Sequence, residues 1–515
     1  MHQTARGAHV TAAPDLRRCT PARAPANQTG CRRQTLEMAH VALHSLISKL
    51  AAGVAAGASR QSQEAAGRSA GTLAQIAHAG PKRLAMQAGA LPALVAAVAA
   101  GGAAAAPGLQ DAAQSSARVL AVMARASVDL AQHVAGQPGA LQALVAAMAA
   151  GSATAMPSLQ MTAMTSSAAL SRIASTSPKL AQRVADEAGA LPALVAAVAA
   201  GGAAAVDNVQ DVAIHSAAAL SQMASTSPEL VQRVAGCALP ALVAALAAAG
   251  TLLAVNSALA LCHMASTSPA IAQRMAEEPG ALPALVAAVA AGSAAAAPEL
   301  HRLTAEFSTC VLAVMAETSP ELARRMAETP GALRALVAGM AAGGGAATPH
   351  LQCVAKNSAA VLCEAIEKCP EFVPRLAAEP GALPALIAAI APGGTAATCS
   401  DPEVLAVNST FMLAQMASSS PELLRRVAEE PGALPALVAA VAAGCAASAP
   451  HRLQSVAANS VFILGFVASI SPQLARRVAQ EPGALRALVA ALAAGGAATA
   501  RMLHETAMYS AHLLG

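Results

Sequence analysis

Apolar residues run through this chain in long blocks of Ala, Leu and Val, and one block recurs. The string GALPALV or a close variant occurs nine times, with its first Leu at 91, 141, 191, 239, 282, 333, 383, 434 and 485. The intervals are 50, 50, 48, 43, 51, 50, 51 and 51 residues, which excludes a conventional domain built around a single core. Period-two alternation of β-branched and aromatic residues is nowhere sustained, so no strands are predicted and the expected class is all-α.

Each unit parses into three helices by its own punctuation. The first opens on Ser-Pro-Glu-Leu, as at Ser227, Pro228, Glu229 and Leu230; Ser caps the end and Pro fits the first turn without losing a useful N–H. It stops at Pro-Gly, as at Pro431 and Gly432, where Gly can take the left-handed conformation. The second helix is the GALPALV block, with Pro in its first turn (Pro192, Pro283, Pro435) and Gly-Gly or Gly-Ser at its end. The third helix carries a Ser four residues before a Leu in every copy: Ser69, Ser116, Ser166, Ser216, Ser257, Ser308, Ser358, Ser409, Ser460 and Ser510. Catalysis does not need ten nucleophiles. The column predicts a small side chain at a tight helix crossing, bonding back to its own helix. The distance from the GALPALV Leu to this Ser is 25 or 26 residues except from Leu239 to Ser257, where it is 18. That deletion is placed in the loop between the second and third helices, where a core tolerates it.

Composition sharpens this picture. Hydrophobic residues reach 56 % with aromatics at 1 % and no Trp. The net charge of +4 is uneven, because residues 1–35 hold six Arg (Arg6, Arg17, Arg18, Arg23, Arg32, Arg33) against Asp15, leaving −1 for the remainder. A near-neutral repeat body with five Phe and one Tyr (Tyr509) argues against nucleic-acid binding by charge or by base stacking. The ten Cys (19, 31, 237, 262, 310, 353, 363, 369, 399 and 445) form no C-x-x-C pair, and reduced, buried thiols are expected. Charge-free windows such as Ala188 to Val206 are read as repeat helices. Each is mostly Ala and is broken by Pro and Gly, so no membrane span is expected.

A three-helix unit whose second helix opens G-A-L-P-A-L-V and whose third ends in small-x-x-x-L-x-x-M/I-A resembles the armadillo repeat, over residues 61–515. The resemblance implies a right-handed α-α superhelix, an armadillo-type solenoid with three helices per repeat, whose third helices line a groove for an extended partner peptide. HEAT-type helix pairs are the alternative fold. Importin-α-like members carry Trp and an Asn ladder in that groove, the Asn two residues after the conserved Leu. Here those positions hold Gln75, Val122, Arg172, Gln222, His263, Val314, Glu364, Gln415 and Phe466, which argues against nuclear-import-signal binding of that kind. Among them Arg172, Gln222, His263 and Gln415 are candidate groove residues.

Stacking turns one offset into a column. Asn precedes the repeated Ser at Asn256, Asn357, Asn408 and Asn459, two turns before the importin-like position. These amides either form a displaced ladder that bonds a partner's backbone or cap and brace the neighbouring loop. Arg recurs five residues after the Ser-Pro proline at Arg183, Arg233, Arg274, Arg325, Arg375, Arg426 and Arg477. With an acid at i+3 in four of them (Asp186, Glu277, Glu328, Glu429), solvated intrahelical pairs are favoured over a basic stripe for an acidic partner. Phe411, Phe462 and Phe466 fall on third helices, as an anchor for an apolar partner residue or as core.

No nucleotide loop, nucleophile elbow, H-E-x-x-H helix or clustered carboxylate pair occurs, so no enzyme, cofactor, metal or small-molecule substrate is expected. The expected organisation is a basic, disordered arm or targeting segment over residues 1–35, an N-terminal capping helix over 36–60, and about nine armadillo-like repeats over 61–515. Translation from Met38 is an alternative account of the arm. The expected function is a scaffold or adaptor binding a protein or peptide, placed in the cytoplasm. An organellar RNA-binding helical-repeat protein is the alternative, in a chloroplast or mitochondrion if the arm is a transit peptide.

Overall fold

The computed structural model describes residues 27–102, 106–154, 156–203, 207–294, 296–343, 348–391, 402–446 and 449–497. Cys19, Cys399, Tyr509, Ser510 and the arm residues Arg6, Arg17, Arg18 and Arg23 lie outside them. Among the described residues the secondary structure is helical throughout.

The helices follow the parse. The unit around Leu141 has a first helix Val128–Gly136, a second Ala140–Ser152 and a third Pro157–Thr176; the unit around Leu333 has Pro320–Glu328, Ala332–Ala342 and Pro349–Lys368. Each third helix packs against the third helices on either side and against its own second helix. One apolar core therefore runs from Leu43 to Ala491. The helix Asn27–Val54 precedes the repeats and lies against Arg60–Ala79 and Ala90–Gly102, burying Leu43, Ile47 and Leu50.

Six caps form as the punctuation dictates, while Ser268 makes no side-chain cap bond among the described residues. Side chains of Ser127, Ser177, Ser227, Ser319, Ser420 and Ser471 accept hydrogen bonds from the Leu N–H three residues on, at 3.1–3.4 Å. In the Leu383 unit Cys369 replaces that Ser and the helix starts as a 3₁₀ turn, Pro370–Phe372, before Val373–Ala378. Between first and second helices the Gly sits at positive φ, as Gly139 (74°) and Gly432 (80°).

The unit around Leu239 departs from the expected three helices. Arg233 and Leu239 are two residues closer than Arg183 and Leu191, and the turn those residues would form is gone. First and second helices fuse into Pro228–Ala245, with Pro240 inside. The 48-residue interval before Leu239 already carried this second deletion. The loop after the fused helix is also short, as expected, and leads to Leu252–Thr267.

The Ser column is buried as predicted, with Ser116, Ser166, Ser216, Ser257, Ser308, Ser358, Ser409 and Ser460 at 0 % exposure. Its bonding differs from expectation. Ser460 donates to the Val456 carbonyl at 2.7 Å, and Ser216 contacts Met148 Sδ. The hydroxyls of Ser116, Ser166, Ser257, Ser308, Ser358 and Ser409 have no partner among the described residues. Size, not back-bonding, is what the crossing requires.

Candidate functional site

Third-helix exposure follows one template. The residue before the repeated Ser is exposed or half-buried in most units, and the residues two and six positions after it are so in all described units. Steps of three and four residues place these positions on one helix face. Because consecutive third helices pack side by side, the faces join into a continuous surface from Arg60–Ala79 to His451–Ile470.

The candidate residues lie on this surface. Arg172 is exposed, whereas Gln222, His263 and Gln415 are half-buried. Burial lowers the pKa of His263. It also lowers that of His215, where Asp211 opposes the shift and Arg172 adds to it. The Asn column divides in two. Asn256 Nδ2 donates to the Ile214 carbonyl at 3.2 Å and Asn459 Nδ2 to Thr410 Oγ1 at 3.4 Å, so these two brace the preceding third helix rather than a loop. Asn357 and Asn408 are half-buried and make no hydrogen bond among the described residues.

Phe462 and Phe466 stack one turn apart, centroids 4.5 Å and planes tilted by 50°. Phe466 is 38 % exposed and Phe462 packs against the core. Phe411 holds the register of Phe462 on the preceding third helix and is half-buried. The same register holds Arg118, exposed, and Cys310, half-buried, in earlier units.

The Arg column does something neither sequence reading anticipated. Nη2 of Arg183, Arg233, Arg325, Arg375 and Arg426 donates to the carbonyls of Ala135, Ala185, Ala276, Ala327 and Ala377, at 2.7–3.4 Å. Each acceptor belongs to the last turn of the preceding unit's first helix, where carbonyls lack helical partners. The i+3 pairs do not form. Asp186 instead pairs with Arg233 of the next unit, 2.6 Å away, and that contact lowers its pKa. Arg274 and Arg477 make no such bond among the described residues; the counterpart of Arg274, Ala235, lies inside the fused helix rather than at a helix end. The reason these contacts were missed is plain, since sequence spacing shows neighbours within a helix but not those one repeat away.

Two further pairs join residues that no spacing within one repeat connects. Glu306 Oε2 and His350 Nδ1 meet at 2.7 Å across adjacent third helices. Cys262 and Cys310 bring their sulfurs to 3.0 Å across the preceding pair. Following the Asn offset through every unit would have found one more feature, Phe307, which holds that position and packs on the core.

No group of three or more His, Cys, Asp or Glu is arranged to hold a metal among the described residues, and the described cysteines are free thiols. Among the described residues one helix, His451–Ile470, is by length and composition long and apolar enough to cross a membrane; here it packs against Pro402–Ser419 and Ala433–Gly444. Three helix pairs of similar composition bend by 88–100° at their break.

No family model matches the chain, and no curated protein matches it. Among solved structures, an engineered protein superposes over 92 % of this chain and 99 % of its own, with TM-score 0.60 and 17 % identity. A designed armadillo repeat protein matches 53 % of this chain and 99 % of its own, with 25 % identity and TM-score 0.41. Another designed armadillo repeat protein, in complex with the peptide (KR)4, matches 53 % and 98 %, with 25 % identity and TM-score 0.41. The first likeness extends over nearly the whole molecule and shows its fold, an all-α superhelix of helical repeats.

Proposed function

We propose that this chain is a non-enzymatic armadillo-type scaffold whose third-helix surface holds an extended segment of a partner protein. The observation that carries the reading is the pair of free amides at Asn357 and Asn408 within a continuous, half-exposed face. An amide offers one acceptor and two donors, which suits a backbone presented in extended form. Gln222, His263 and Gln415 continue the polar face, and Phe466 over Phe462 supplies an apolar foothold at its far end. Cytoplasmic residence accompanies this reading, in keeping with free thiols.

Arrayed peptides applied to the purified chain, followed by fluorescence anisotropy of the best ligand, test the proposal. Joint substitution Asn357→Ala and Asn408→Ala is expected to weaken binding about tenfold, near 1.4 kcal/mol, with the helical circular dichroism retained. Unchanged affinity in that folded variant overturns the reading. Repeating the titration with single-stranded RNA at two salt concentrations addresses the other function class, for which a steep fall with salt is expected.

A further inference from the structure

We propose that Cys262 and Cys310 are a redox modification site, at which a hydroperoxide converts two facing thiols into a disulfide that staples two consecutive repeats. Cys262 stands on Leu252–Thr267 and Cys310 on Glu299–Thr318, third helices of neighbouring units. Their sulfurs are 3.0 Å apart, so a shift of about 1 Å reaches the disulfide length of about 2.05 Å.

The site coincides with a gap in the fold. Five other joints carry an Arg that crosses to the preceding first helix, as Arg183 does to Ala135 and Arg325 to Ala276, while Arg477, like Arg274, makes no such bond among the described residues. At the joint joined by these cysteines the crossing residue is Arg274, which makes no such bond among the described residues, its counterpart Ala235 lying inside the fused helix Pro228–Ala245. A covalent link on the third-helix side supplies the restraint that is missing on the first-helix side.

The two thiols are unequal. The hydrogen bond from Cys262 lowers the pKa of Cys310, and the same contact together with burial raises that of Cys262. Cys310 is also the more accessible. Its thiolate attacks one peroxide oxygen, the O–O bond breaks, and hydroxide leaves, giving a sulfenic acid. Cys262 sulfur then attacks the Cys310 sulfur, forming S–S and expelling the hydroxyl as water. Two thiols and one hydrogen peroxide become one disulfide and two waters.

Treating the purified full chain with stoichiometric hydrogen peroxide, alkylating the remaining thiols and mapping peptides without reductant is the test. A linked Cys262–Cys310 peptide, lighter by two hydrogens and abolished by dithiothreitol, is expected. The oxidised protein is also expected to melt higher than the reduced one, with no such difference in Cys310→Ser. Recovery of both residues as alkylated thiols, or of Cys310 as sulfinic acid beside alkylated Cys262, overturns the proposal. Because the mapping uses the unsubstituted chain, a variant that fails to fold does not affect it.

Discussion

Arg183 crosses from one repeat to the next and donates from Nη2 to the carbonyl of Ala135, 2.7 Å away and 48 residues earlier. The bond closes the last turn of a helix that its own chain cannot close, and it ties two units together. Charge-assisted bonds of this kind are stronger than neutral ones, but these Arg side chains are exposed or half-buried, so solvent screens them in part. Arg183→Ala is expected to lower stability by about 1 kcal/mol, with Arg325→Ala similar. Arg274→Ala is expected to cost less than either. Urea unfolding of the three variants followed by circular dichroism measures the order.

The buried Ser hydroxyls give a prediction of opposite sign. Six of them are desolvated without a partner, a condition that costs about 1–3 kcal/mol for each group. Ser166→Ala and Ser358→Ala keep the small volume and remove the unpaired hydroxyl, so each is expected to be neutral or to stabilise by up to about 1 kcal/mol. Ser460→Ala, which loses the bond to Val456, is the destabilising control. Melting temperatures of the three proteins decide the matter.

Glycine at the end of a second helix is expected to be irreplaceable for steric reasons. A Cβ added at Gly151 falls on the Leu159 carbonyl and the Ala163 side chain of its third helix. Backbone cannot step aside as a flexible side chain can, so Gly151→Ala is expected to destabilise by about 2 kcal/mol, in the range of overpacked cores. Gly136, with open space around its Cβ position, is the matched control and gains helix propensity as Ala.

Acid is expected to weaken the fold through His215 and His263. Burial is the leading cause of the lowered pKa of both, so the unfolded chain takes up protons first. Above the ordinary histidine value of 6.5 both states are neutral there and stability does not change with pH on their account. As pH falls below it, the unfolded state gains protons that the folded state resists, and stability falls until the folded groups titrate. His215→Gln combined with His263→Gln is expected to flatten the slope of melting temperature between pH 7 and about pH 5.

The repeat, its caps and the buried Ser column were legible in the sequence because each depends on neighbours within a turn or two: Ser227 needs only Leu230, and Gly139 needs only its own φ. What lay beyond reach depended on register between units. Whether Arg183 meets Asp186 or Ala135 is decided by how two helices stack, and so is the closeness of Cys262 to Cys310. The Asn column shows the same limit within one motif, since Asn256 and Asn459 find acceptors on the preceding helix while Asn357 and Asn408 do not. The fused helix is a different case: the two missing residues before Leu239 are visible as a short interval, but an interval alone does not say whether a loop shortens or a turn between two helices vanishes.

That fused helix divides the molecule's mechanics. Cooperativity in a stack of repeats passes from each unit to the next through their shared interface. The Arg contact is missing at two joints, the one reached by Arg477 and the one between Pro228–Ala245 and Pro269–Glu277, and the second of these lies near the middle of the stack. Under stretching force, or at the onset of melting, the rod is expected to part there into two blocks, each able to persist while the other unravels.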